Sequence, residues 1–164
     1  QGYKRIALLE GPQVLNIFRQ RKAGYLNALK AHGLPVDEGL IITNAWTKEQ
    51  GANDVRRLLG LANPPDAIFA SRDDFSALGT LEVAIDMGIK VPDELGICGY
   101  SNEPFTEITS PSITTIDQHS DYIGRTVANL YFHEMDNKSK DAASMPRTIS
   151  IKPKLVVRAS TMRS

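Results

Sequence analysis

Only one of the 164 residues is a cysteine, Cys98, and only one is a tryptophan, Trp46. A lone thiol in the apolar run 95–99 argues against a disulfide framework and a cysteine-based metal cluster, and it fits a reducing, cytoplasmic setting. Net charge is missing as well. Nineteen Lys and Arg balance nineteen Asp and Glu, so the overall charge lacks the electrostatic footprint of a protein that grips phosphate backbones. Any role on DNA is therefore expected to be carried outside this stretch. No apolar run approaches the roughly 20 residues of a membrane-spanning helix, so no membrane partner is expected. The opening QGYKRIALLEG runs straight into a strand without a basic-then-apolar leader, as expected at a fragment boundary.

Several kinds of chemistry are absent too. Glycine-rich phosphate loops, HExxH, paired CxxC spacings and the GxSxG nucleophile turn do not occur. After the first strand comes GPQVLNIF, one glycine followed by Pro and bulky apolar residues, which is a poor phosphate cradle. His32, His119 and His133 are scattered near helix ends or on helix faces, where capping or solvent-facing roles are expected. Asp73 and Asp74 are adjacent, so their carboxylates point in different directions, and acids at a helix start are favoured by the helix dipole without a catalytic role. No enzyme activity, cofactor or metal is expected.

What is present is a composition, 41% hydrophobic and 23% charged, that can bury the core of one domain. Apolar periodicity predicts a strand at 6–9, a break at Gly11 and Pro12, and a helix carrying Phe18, Tyr25, Leu26 and Leu29 that ends near Gly33. A second run, 40–42, leads to Thr47, whose hydroxyl can cap a helix while Gln50 reaches back; that helix carries Val55, Leu58 and Leu59. A third strand at 67–70 is followed by Asp73 or Asp74 as helix start and a stripe of Leu78, Leu81, Ala84 and Ile85 up to Gly88. Pro92 restarts the chain for a strand at 95–98. Strands alternating with helices predict an α/β fold with a doubly wound parallel sheet, because parallel strands need a crossover between them. Ligands of such sheets sit at the carboxyl edge. Residues 100–112, with Pro104 and Pro111, read as a loop without a helix. A strand is expected at 113–116, a helix at 120–135 with Tyr122, Ile123, Val127, Leu130 and Tyr131, a polar linker at 136–147, and a strand pair near 148–151 and 155–158.

Six stretches, in order and with ordinary spacing, resemble the sensor domain of LacI-type transcription regulators. GYKRIALLEGP and RQRKAGYLNAL resemble the first strand and helix of its second lobe, and PPDAIFASRDDFSALGTL its AIFAxNDxxAxG segment. GIKVPDELGICGYSN resembles GxxVPxDxxxxGxDD, SPSITTIDQ resembles PxLTTIxQ, and IKPKLVVRAST resembles LxxRxST. The resemblance implies a periplasmic-binding-protein-like (type I) sensor of two similar lobes, the second incomplete here. Residues 1–112 would form the C-terminal lobe, 113–147 the crossover and a helix belonging to the N-terminal lobe, and 148–164 the return strands. It also implies a cytoplasmic homodimer with a small-molecule effector, a carbohydrate first of all, held between the lobes. Operator DNA would be bound through a helix-turn-helix that is not in this chain, and effector binding would alter operator affinity. The fold leaves one alternative, a periplasmic sugar-binding protein of a transport system, against which VPDELGICGYSN and ITTIDQ speak.

The same resemblance assigns ligand contacts. Arg21, three residues before Gly24, matches an arginine whose rigid fork of donors suits paired oxygens. Trp46, where a strand ends, matches an aromatic that stacks on the effector. Two positions depart from the pattern: Asp73 stands where Asn is usual, and Ser101 with Asn102 where an acidic pair is usual. A carboxylate accepts but cannot donate, so the expected effector is polyhydroxylated but different from the sugars read by the usual pattern. Strongly anionic effectors are disfavoured beside Asp73, although Arg19, Arg21 and Arg72 offset it. Gln118, at the crossover, is expected to be a ligand contact or a hinge hydrogen bond. Helix 120–135 is left without a sheet of its own, so association of the chain is expected.

Overall fold

In the computed structural model residues 1–43, 48–137 and 148–163 are described, without the side chains of residues 48, 136 and 137. Strands β1 (Ile6–Leu9), β2 (Ile41–Ile42), β3 (Ala67–Ala70) and β4 (Gly96–Cys98) form a parallel sheet in the order β2-β1-β3-β4. Helices α1 (Asn16–Ala31), α2 (Lys48–Leu59) and α3 (Asp74–Asp86) make the crossovers. Strand residues alternate in the direction they face, so each strand feeds two cores. Ala7, Leu9, Ile42, Ile68, Ala70 and Ile97 face α2 and α3, where Val55, Leu58, Ala77, Leu81 and Ala84 are buried against them. Leu8 faces the other way, onto Tyr25 and Leu29 of α1. The sheet is thus wound on both faces, with two helices on one face and one on the other.

The chain then runs along β4. Thr114 bridges Cys98 and Ser101 bridges Asp117, both in parallel, while β5 (Thr115–Asp117) pairs antiparallel with β6 (Lys154–Val156). Ile113 is fully buried in the larger core. The C-terminal stretch is stitched in by hydroxyls: Ser160 Oγ donates to Ile97 O at 2.6 Å and accepts from Thr114 N at 2.8 Å. Arg158 accounts for much of the LxxRxST resemblance. Its guanidinium donates to Ile113 O, Thr106 Oγ1, Asn102 Oδ1 and Glu107 Oε1, holding the loop after β4 in place.

Three sequence expectations need correction. Residues 100–112 are not all loop: Phe105–Ile108 forms a single turn of helix, α4, because Pro104 has φ −54 and Thr106 Oγ1 returns to Glu103 O. Residues 148–151 form no strand, and the last strand is limited to Lys154–Val156, since Arg158 turns inward to its carbonyl and carboxylate partners. Thr47 as helix cap, Trp46 and linker residues 138–147 lie outside the described residues. Helix α5 (Ser120–Asn137) forms where expected and is largely exposed.

Candidate effector site at the carboxyl edge

The residues that follow β3, β4 and β5 converge on Arg21, which α1 presents from its second turn. Nη1 donates to Ser71 O at 2.8 Å and to Arg72 O at 3.0 Å, and Nη2 to Gln118 Oε1 at 3.3 Å. The guanidinium lies 3.5 Å from the centroid of the Tyr100 ring and 5.3 Å from that of Phe18, a cation held over aromatic faces. Burial lowers its pKa from the ordinary value, opposed by Tyr100 and Asp73, and leaves it charged. Its Nε is buried and meets no acceptor among the described residues.

Gln118 continues the chain of contacts, with Nε2 donating to Ser101 Oγ at 3.3 Å. Ser101 is held in an uncommon conformation, φ 128, and Asn102 follows at φ 61. Backbone contacts fix that loop: Ser101 N donates to Ile116 O and Asn102 N to Thr115 Oγ1. Three of the residues singled out in the sequence, Arg21, Gln118 and Ser101, therefore form one hydrogen-bonded line across the carboxyl edge. Both side-chain links within it are long for such bonds, so ligand hydroxyls can replace them at little cost.

Asp73 holds a different position. Its Oδ1 caps α3 by accepting from Ser76 N at 2.8 Å and Ser76 Oγ at 2.7 Å, while Oδ2 lies 3.3 Å from Arg72 Nε. It bears on Arg21 through charge. With Arg72 and Phe75 it also lines a cavity of about 270 Å³ between α2 and α3. Asp74 is fully buried: Oδ1 accepts from Thr115 Oγ1 at 2.6 Å and Oδ2 from Glu103 N at 2.8 Å, tying α3 to β5 and to the Ser101 loop. Gly99 is required beside it, because a Cβ there would collide with Asp74 Oδ1. Asn102, the other departure from the family pattern, spends its side-chain oxygen on Arg158.

Sequence reasoning missed two features of this edge. Tyr100 lies in GICGYSN at an unspecified position of the pattern, and its only signal is an aromatic directly after the strand-ending Gly99. Glu10, fully buried at its side chain, is 3.2 Å from Lys22 Nζ. A charged residue closing an apolar strand, 12 positions before a lysine on the next helix, was the available signal. Among the described residues no group of His, Cys, Asp and Glu could hold a metal ion, and no helix is long and apolar enough to cross a membrane.

Known proteins share this fold. Residues 1–161 match the family described as periplasmic binding protein-like domain. The HTH-type transcriptional repressor CytR of Escherichia coli is 35% identical over 161 residues, which is 98% of this chain and 46% of that protein. Among solved structures, the complex of the transcriptional regulator CelR with cellobiose has a TM-score of 0.84 at 31% identity, covering 97% of this chain and 47% of that one. A LacI-type putative transcriptional regulator from Bacillus cereus subsp. cytotoxis has a TM-score of 0.86 at 30% identity, covering 98% of this chain and 55% of that one. The chain spans about half the length of the curated relatives it matches. Family match and relatives agree with the six motifs: the chain belongs to the periplasmic binding protein-like domain family, in the form carried by LacI-type regulators.

Proposed function

We propose that this chain is the effector-binding region of a LacI-type transcription regulator, taking a neutral, polyhydroxylated effector at the carboxyl edge of its sheet. The observation that carries the reading is the line Arg21–Gln118–Ser101. It sets a half-buried guanidinium whose buried Nε is unmet, an amide and a hydroxyl side by side where the chain leaves the sheet. Donors and acceptors so interleaved suit sugar hydroxyls, each of which both donates and accepts. That the related regulator CelR was solved with cellobiose supports a carbohydrate. Trp46 and Asp73 complete the proposed contact set, the first as a stacking wall and the second as an acceptor at the rim.

In the whole protein, residues 1–112 and 148–164 belong to the C-terminal lobe. Residues 113–147 contribute the crossover, running along β4, and a helix of the N-terminal lobe. The effector favours one relative arrangement of the lobes in a cytoplasmic dimer and thereby changes operator affinity, which requires that it bind the two arrangements unequally. The test is calorimetry of the chain at millimolar cellobiose and a panel of mono- and oligosaccharides, with Trp46 fluorescence alongside. A sugar that binds wild type, and binds Arg21→Lys at least about tenfold more weakly because the bidentate fork is lost, supports the reading. Silence across sugars with a response to a purine or an organic acid would keep the regulator and replace the ligand class.

A further inference from the structure

Glu10 follows an apolar strand with a charge, and its side chain is fully buried. Lys22 Nζ donates a long bond to Oε1 at 3.5 Å and sits 3.2 Å from Oε2, near in charge but too poorly aimed for a hydrogen bond. Lys22 belongs to the inward-facing row of α1. In that row Phe18 lies against Gly11, where a Cβ would strike its ring, and Tyr25 and Leu29 are buried with Leu8. A well-packed apolar pair would serve stability there at least as well, because taking two charges out of water offsets most of their attraction. The pair therefore points to a role other than stability. Its place in the fold indicates which. In the β1–β3 register Leu9 lies beside Ala70, and Ser71 N donates to Leu9 O, so Glu10 and Ser71 are neighbouring strand ends at the carboxyl edge. Arg21 and Lys22 are consecutive on α1, and their heads rest on those two ends, Arg21 Nη1 on Ser71 O at 2.8 Å and Lys22 on Glu10.

We propose that Glu10 sets the charge selectivity of the effector site: by holding the Lys22 ammonium at the end of β1 it keeps a second cation from joining Arg21, so that the edge takes a neutral ligand and rejects an anionic one. This deepens the effector reading above and rests on it. Glu10 is a positioning residue, since it acts on the ligand only through Lys22. The other cations near the edge are held as well: Arg72 Nε faces Asp73 Oδ2 at 3.3 Å, and Arg19 is turned back onto the carbonyls of Gln13 and Val14. Arg21 is bonded to two carbonyls and an amide oxygen and stacked on Tyr100, partners that leave its charge uncancelled. The Lys22 side chain is 27% exposed on a flexible four-carbon stem, so its ammonium is not sealed in. Freed from Glu10, it would swing toward Ser71 and form with Arg21 a two-cation seat for a phosphate or carboxylate group. Held by Glu10, its charge is matched at 3.2 Å and adds little at the edge.

The test is calorimetric titration of this chain with inorganic phosphate at low ionic strength and about pH 8, where the probe is a dianion. Glu10→Gln keeps the shape of the side chain and removes its charge. It is expected to bind phosphate at least about tenfold more tightly than wild type. Adding Lys22→Met to Glu10→Gln should return the affinity to the wild-type value, and adding Arg21→Gln instead should also abolish the gain, because the seat needs both cations. A merely structural pair would change the melting midpoint and leave phosphate affinity where it was, so thermal unfolding without phosphate is followed alongside. Should Glu10→Gln fail to fold by circular dichroism, Glu10→Met takes its place, apolar like the strand before it. Unchanged phosphate affinity in the folded Glu10 variant overturns the proposal. So does a gain that survives Lys22→Met or Arg21→Gln, since phosphate would then be bound away from the edge. No sugar enters this series, so the two readings fail separately: sugar binding without a phosphate gain strikes only the role of Glu10, and a phosphate gain without sugar binding strikes only the ligand class.

Discussion

A buried phenol, Tyr25, and a half-buried thiol, Cys98, contribute to how this fold responds to alkali. Burial pushes Cys98 from 9.0 up to about 12, with Asp74 adding to it, and pushes Tyr25 from 10.0 up to about 12, with Asp37 and Glu38 adding to it. Tyr25 also donates to Ile6 O at 2.8 Å, a bond its anion cannot make. Both groups are therefore held neutral in the folded chain and ionise more readily once it unfolds. Their stabilising contribution is complete well below pH 9.0, the ordinary thiol value, and is lost as pH rises toward 12. Thermal unfolding followed from pH 8 to 11 should show a falling midpoint. Cys98→Val is expected to flatten the first part of the decline. Tyr25→Phe is expected to flatten the later part while costing about 1 kcal/mol at neutral pH for the lost hydrogen bond. At this scale the candidate site was reached through the family resemblance, which singled out Arg21, Ser101 and Gln118; the three are hydrogen-bonded in one line. Tyr100 was not singled out, because an aromatic next to a glycine does not say which cation it will meet.

Between elements, Asp74 joins α3, the Ser101 loop and β5 through two short bonds in a site closed to water. Removing the carboxylate in Asp74→Ala leaves a hydroxyl and a backbone N–H without an acceptor, an expected loss of roughly 2–4 kcal/mol and roughly 5–15 °C in the melting midpoint. The same bonds fix the loop that carries Ser101, so effector affinity should fall along with stability, which calorimetry on the folded variant below its melting midpoint can separate. Elements with a long repeated pattern were easy to place: the expected strand at 6–9, the helix starting at Asp73 or Asp74 and the helix at 120–135 all formed. Asp73 serves as the cap of α3, as acids at a helix start should. The short elements escaped. A single turn begun by Pro104 has no period to detect, and residues 148–151 carry β-branched side chains but find no strand beside them. Strand formation there depends on a neighbour, which local sequence does not report.

At the scale of the whole molecule, the two-lobed arrangement proposed above means that this chain, as half of a cleft, should bind its effector poorly. A site at the edge of one sheet leaves much of the ligand in water, whereas closure by a second lobe buries it. The 164-residue chain is accordingly expected to bind the regulator's effector at least about tenfold more weakly than the full-length protein, measured by titration calorimetry of both under the same buffer. Equal affinities would mean that the line from Arg21 to Ser101 and its surroundings form the complete site. The alternation of strands and helices was enough by itself to predict the doubly wound sheet and its carboxyl edge, because periodicity and turn residues act over a few residues and survive without knowledge of the fold, while the family followed from the resemblance of six motifs. What only the tertiary structure decided is which groups share a space. The fixing of Asn102 by Arg158 and the burial of Asp74 against Thr115 and Glu103 arise from contacts between residues tens of positions apart, whose pairing no local pattern specifies.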